Sequence, residues 1–146
     1  MEMAMGAWDS DPFGNDTAGD WKYELEATQG FDFIEETLEK ALSSGEDYLE
    51  APDAEEAIAA ADTIARLRGH YYTRNAYTES LDAWVAQQTD TVPQDLVELA
   101  LRTLDRVQTE PSELLELWEE SGGEDWKEHM QALKERLQAA PKTRGN

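Results

Sequence analysis

Asp9, Asp11, Gly14 and Asp20 occupy the first, third, sixth and twelfth places of a twelve-residue frame, the skeleton of a calcium-binding loop. The frame then fails. Its fifth place is Phe13, its eighth is Asp16 where an apolar residue is usual, and its last is Asp20 instead of a bidentate Glu. The stretch reads as a turn-rich loop whose Asp and Asn side chains satisfy nearby N–H groups, with Asp9, Asp11 and Asp20 as a poor metal set and no cofactor expected. A second group with chemical potential is Arg66, Arg68, His70 and Arg74, a run of cations and Tyr71-Tyr72 in an acidic chain. Such a run either contacts an anionic ligand or pairs internally with acidic helices, and internal pairing is the preferred reading.

Other reaction chemistries find little support. Glu35-Glu36, Glu55-Glu56 and Glu119-Glu120 are adjacent carboxylates of the kind that cover solvated helix faces, whereas acid–base work needs two carboxyls in different environments. His129 follows Glu128 directly and so lacks the Glu-x-x-His step of di-iron bundles. Cysteine is absent, which removes thiolate ligands, disulfides and a Cys nucleophile. No phosphate-cradling glycine loop precedes a Lys-Ser/Thr pair. No catalytic residue is assigned, and the chain reads as a non-enzyme.

Charge is the stronger signal. There are 33 acidic against 12 basic residues and a formal net charge of −21 in 146 residues. The imbalance lies at the front: residues 1–65 carry 18 acids and 2 bases, residues 66–146 carry 15 acids and 10 bases. Such a field repels phosphate backbones and anionic membranes and speeds encounter with a basic protein. The expected partner is therefore a basic protein, with no direct binding to nucleic acid or membrane. The expected interaction surface is Glu35, Glu36, Glu39, Glu46, Asp47, Glu50, Asp53, Glu55 and Glu56.

The elements that position these groups read as helices throughout, and the fold class expected is all-α, a single domain of six or seven short antiparallel helices. Ala18, Trp21, Leu25 and Thr28 fall on one stripe behind Asn15-Asp16, either of which can cap, and Gly30 ends that helix. Phe31, Ile34, Leu38, Ala41 and Leu42 line a second helix that stops at Ser43-Ser44-Gly45. The Ala-rich segment Asp53–Leu67 is expected at the centre, because small residues permit close backbone approach. A helix near 77–88 follows, with Thr78 as a possible cap. The next has Pro93 in its first turn and apolar residues on two sides. Pro111 is expected to start another, ended by Gly122-Gly123, and Trp126, Met130, Leu133 and Leu137 form the stripe of the last, stopped by Pro141.

The opening stretch concentrates Trp8, Phe13 and Trp21, large apolar groups that need burial, so an N-terminal aromatic loop is expected to pack on the helices. Met5-Gly6-Ala7-Trp8, Phe13, Asn15-Asp16, Ala18 and Asp20-Trp21 resemble the start of a bacterial family known as domain of unknown function 4259. The similarity continues through Asp47-Tyr48-Leu49-Glu50-Ala51, the Ala-rich helix, Ser112-Glu113-Leu114 and Trp118-Glu119-Glu120-Ser121. Relatives are expected to carry Gly where this chain has Asp9 and Asp11, a departure that weakens the calcium frame further. The resemblance implies a small bacterial cytoplasmic protein, carries no activity with it, and makes Gly6, Trp8, Phe13, Asn15, Asp16, Asp20 and Trp21 a structural motif. Its start at Met5 sets residues 1–4 apart as an extension, and with Pro141 stopping the last helix the domain is expected at residues 5–140 with 141–146 a frayed tail. Two functions are left open: a module that occludes a basic partner, as inhibitors and immunity proteins do, in one form by mimicking nucleic acid; or a ligand-binding domain or enzyme whose pocket joins the opening motif to Arg66–Arg74.

Overall fold

A computed structural model describes residues 13, 15–71, 76 and 78–141. Within them the chain folds into seven helices: α1 (Asp16–Glu26), α2 (Asp32–Leu42), α3 (Ala51–Leu67), α4 (Glu79–Gln87), α5 (Gln94–Val107), α6 (Glu113–Glu120) and α7 (Glu124–Gln138). Extended pairing among the described residues is limited to one isolated parallel bridge, Leu49 with Ser112. None of these helices is long and apolar enough to cross a membrane.

The hub is α3, which packs against every other helix. Its composition explains why: Ala57, Ala59, Ala60, Ala61 and Ala65 are all buried, and side chains this small let neighbouring backbones come close from several directions. Larger groups fill what remains, Ile34 and Leu38 from α2, Leu104 and Val107 from α5, and Leu133 and Leu137 from α7. Each fully buried aliphatic side chain contributes roughly 1.5–3 kcal/mol of apolar transfer. On α5, Leu96, Ala100 and Leu104 are buried together with Val97 and Leu99, so this helix is covered on two sides as its pattern required.

Buried indoles need a partner for their N–H, and both examples near α1 have one. Trp21 Nε1 donates to Thr37 Oγ1 at 2.8 Å while its ring stacks on Phe33 at 5.5 Å, tying α1 to α2. Trp84 Nε1 donates to the Thr28 carbonyl at 2.8 Å, tying α4 to the end of α1. Phe13 packs against the same core. Asn15 caps α1, its side chain accepting from Ala18 N at 2.8 Å.

Four boundaries depart from expectation. Thr28 lies beyond α1, because its backbone N–H and its hydroxyl both turn back to Leu25 O. The start of α3 moves up to Ala51, whose N–H donates to Glu113 Oε1 at 2.8 Å, a cap supplied by α6. Pro93 is the N-cap of α5 in extended conformation and not part of its first turn. Ser112, not Pro111, opens α6: its hydroxyl accepts from Leu115 N, while the Pro111 carbonyl is engaged by Leu49 N at 3.1 Å. Thr78 stands at the N-cap of α4, but its hydroxyl reaches Asp82 Oδ2 at 3.4 Å instead of a backbone N–H.

A backbone latch holds the α2–α3 connector on the α5–α6 connector. Leu49 N donates to Pro111 O and Glu113 N to Leu49 O at 2.9 Å. The Arg106 guanidinium donates to four carbonyls, Gly45 at 2.9 Å, Asp47 at 2.6 Å, Thr109 at 2.8 Å and Pro111 at 3.0 Å. Ser112 Oγ closes the set on Val107 O at 2.7 Å. Gly123, at φ 77°, turns the chain from α6 into α7, and a Cβ there would sit 3.3 Å from Trp118 O.

Candidate functional site

Among the described residues of the Arg66–Arg74 run, Arg66, Arg68 and His70 turn to different partners instead of converging on one anion site. Arg66 is 0 % exposed; its Nε donates to Asp62 Oδ2 and its Nη1 to Asp82 Oδ1, both at 2.7 Å. The first contact is an i,i+4 pair along α3, and the second reaches α4. Burial alone would lower the Arg66 pKa, but the charges and hydrogen bonds of Asp62 and Asp82 more than offset it, and the guanidinium stays charged. Arg136 on α7 adds a second cation, its Nη1 donating to Asp62 Oδ1 at 2.6 Å and its other nitrogens to His70 O. Two carboxylates and two guanidiniums balance, as a buried ionic cluster must.

Arg68 and His70 turn elsewhere. Arg68 Nη2 donates to Ala139 O and His70 Nε2 meets Ala140 O, each at 2.6 Å, so both fasten the C-terminal end of α7 to that of α3. Arg74 lies outside the described residues. Phe13 and Tyr71 place their rings 5.7 and 5.8 Å from the Arg66 guanidinium, within cation–π range. The opening motif and the basic run thus meet at Arg66, at a point sealed from solvent.

The other motif residues act locally. Asp16 is an exposed carboxylate in the first turn of α1, where the helix dipole favours negative charge. Asp20 is exposed on α1 and Trp21 is buried beneath it. Gly6, Trp8, Asp9 and Asp11 lie outside the described residues, so the loop frame they would form does too. Among the described residues no group of three or more His, Asp or Glu is placed to hold a metal ion.

The acidic residues divide into three environments. Glu35, Glu36 and Glu39 on α2, and Glu46, Asp47 and Glu50 in the latched connector, are exposed. Asp53 and Glu56 are half-buried and share Lys40, at 3.3 and 4.0 Å, and Asp53 is the main cause of the raised Lys40 pKa. Glu55 departs from the expected solvated face: it is 9 % exposed, because α3 is covered nearly all round. Burial raises its pKa; a hydrogen bond from Thr17 opposes the rise, and the charges of Glu113, Asp16 and Glu56 add to it. The Glu56 pKa rises through burial, with Lys40 opposing.

Among the described residues, several basic side chains are tied to groups of the fold, while Lys40, Arg102 and Lys127 are exposed. Lys22 is buried against Glu26 at 3.2 Å and Ser80 at 3.1 Å. Lys127 pairs with Glu119 and Lys134 with Asp105. Arg106 is spent on backbone carbonyls. Among the described residues Glu35, Glu36, Glu39, Glu46, Asp47 and Glu50 are exposed and take part in none of these ion pairs.

One part of that surface eluded the sequence. Tyr48 is 48 % exposed and donates its hydroxyl to Glu116 Oε1 at 3.0 Å, across 68 residues of chain. Partial burial, this hydrogen bond and the charges of Glu116, Glu113 and Glu50 raise its pKa above the ordinary value near 10, so the phenol stays protonated. Leu117, next to Glu116 in α6, is 42 % exposed. Only the latch brings these residues together, and no local spacing encodes it. The segments 47–51 and 112–121, each read as similar to the same family, are the two that meet here.

Comparison with curated proteins and with solved structures returns no match. The family model for Domain of unknown function (DUF4259) does match, over residues 6–129, from inside the opening motif to the first half of α7. With that span covering most of its length, the chain belongs to the DUF4259 family.

Proposed function

We propose that this protein is an acidic helical interaction module that binds and occludes a basic protein. In this reading it acts in a bacterial cytoplasm in the manner of an inhibitor or immunity protein, its carboxylates standing where a nucleic-acid backbone would otherwise bind. The observation that carries the reading is the internal use of the cations: Arg66, Arg136, Lys22 and Arg106 are all tied to groups within the fold, while Glu35, Glu36, Glu39, Glu46, Asp47 and Glu50 stay exposed. Solubility alone needs charge of either sign, whereas a surface of one sign steers a partner of the other.

A second reading, a small-ligand pocket built from the opening motif and the basic run, draws on the approach of Phe13 to Arg66. It is disfavoured by the commitment of Arg66 to two carboxylates. Affinity capture from cells of the source organism at low ionic strength separates the two. Recovery of one basic protein in equal stoichiometry is the expected result. A clean monomer would refute the occlusion reading, and a small molecule retained in native mass spectrometry would favour the pocket.

A further inference from the structure

We propose that the Nε–Nη2 edge of Arg68 is a binding site for a carboxylate. The inference stands apart from the occlusion reading. Arg68 is 8 % exposed, takes part in no ion pair among the described residues, and has in its Nε a buried donor with no hydrogen-bond partner. The guanidinium donates from Nη2 to Ala139 O at 2.6 Å. Both buried aspartates are committed elsewhere: Asp62 accepts from Arg66 at 2.7 Å and Arg136 at 2.6 Å, and Asp82 accepts from Arg66 at 2.7 Å. Arg68 is thus a third guanidinium, largely out of water and without a counter-ion. A buried N–H of a charged group costs stability unless an acceptor meets it. Water would meet the N–H and leave the charge, whereas an anion settles both.

The place is fixed by two helix ends. Gly69, at φ 88°, closes α3, with Gly69 N on Arg66 O and His70 N on Ala65 O, both at 2.9 Å. The end of α7 is pinned to it by His70 Nε2 at Ala140 O, 2.6 Å, and by Arg136 at His70 O. Ala139 is half-buried and Ala140 exposed, so the segment in contact with Arg68 presents only methyl side chains. Nη2 carries two N–H groups and can keep Ala139 O while it joins Nε in a fork, the geometry that matches the two oxygens of a carboxylate. A phosphate dianion fits less well, because the C-terminal ends of α3 and α7 meet here and disfavour negative charge. The −21 charge of the chain opposes any anion in the same sense, which makes the binding weak.

The test follows the Arg68 Nε–Hε resonance of the full chain as sodium acetate replaces sodium chloride at constant ionic strength and neutral pH. A shift that saturates with a Kd of about 10 mM is the expected result, with the Tm raised by about 4 °C at about 100 mM acetate. Arg68→Met is expected to leave the Tm in chloride within about 4 °C of the parent, since one hydrogen bond and one uncompensated charge go together, and to abolish the rise in acetate. Acetyl-diglycine and its amide identify the source of the carboxylate. A response to acetate alone assigns a free small acid; a response to acetyl-diglycine as well, but not to its amide, assigns a chain terminus. An Arg68 resonance that stays put up to about 100 mM acetate, or an equal rise in the variant, would overturn the site. A variant melting more than about 4 °C below the parent in chloride would overturn it too, because Arg68 would then only fasten α7. None of these results bears on the occlusion reading.

Discussion

Asp62, Arg66, Asp82 and Arg136 hold each other's charge largely out of water. Arg66→Met is expected to destabilise the fold by about 3–5 kcal/mol in urea denaturation, since it removes the buried guanidinium that faces both Asp62 and Asp82. A loss under about 1 kcal/mol would contradict this account of the cluster. Glu55 works in the opposite sense. Its folded pKa is raised above 4.5, so the folded chain holds that proton more tightly than the unfolded one does. Ionisation therefore costs stability as pH climbs from about 4.5 through the folded value. Glu55→Gln, which can still accept from Thr17, is expected to stabilise the protein at about pH 7, the gain shrinking as pH falls from the folded value toward about 4.5 and vanishing below it. Stability profiles of the two proteins that run parallel across that window would show that burial of the charge has no such cost.

At the scale of elements, α3 and the latch do different work: α3 gathers the helices, and the latch sets α6 beside the α2–α3 connector. Arg106→Met removes a charged donor from four carbonyls and is expected to cost about 2 kcal/mol or more. Amide exchange should quicken at Leu49 and Glu113, whose N–H groups close the bridge; unchanged protection there would mean that the backbone pairing stands without Arg106. Helical periodicity made most elements legible, from the Asn15 cap of α1 to the Trp126–Leu137 stripe of α7, because i,i+3 and i,i+4 contacts are local. Boundaries failed where the cap came from afar. Ala51 starts α3 through Glu113, 62 residues away, and Ser112 rather than Pro111 starts α6 once Pro111 is drawn into the bridge. For the same reason the Asp62–Arg66 pair could be read from spacing, whereas Asp82, Arg136 and the Tyr48–Glu116 contact could not. Glu55 was misplaced because an adjacent Glu pair resembles a solvated face on any helix that is not enclosed.

The whole molecule carries its −21 charge asymmetrically, with most of the imbalance in residues 1–65. Arg66, Arg106 and Arg136 close on internal carboxylates and carbonyls, and the acids Glu35, Glu36 and Glu39 of α2 and Glu46, Asp47 and Glu50 of the connector stay exposed. The field of such acids acts at a distance of about a Debye length and governs how fast a basic partner arrives more than how tightly it stays. Family membership over residues 6–129 takes in most of the opening motif, the hub helix and both halves of the latch, without assigning them a reaction. The central claim is that the acidic surface recruits a basic protein, and the most direct measurement is the association rate of the captured partner across ionic strength. The account predicts a rate that falls at least about ten-fold between about 50 and about 500 mM salt while dissociation changes little. An association rate independent of salt would contradict it.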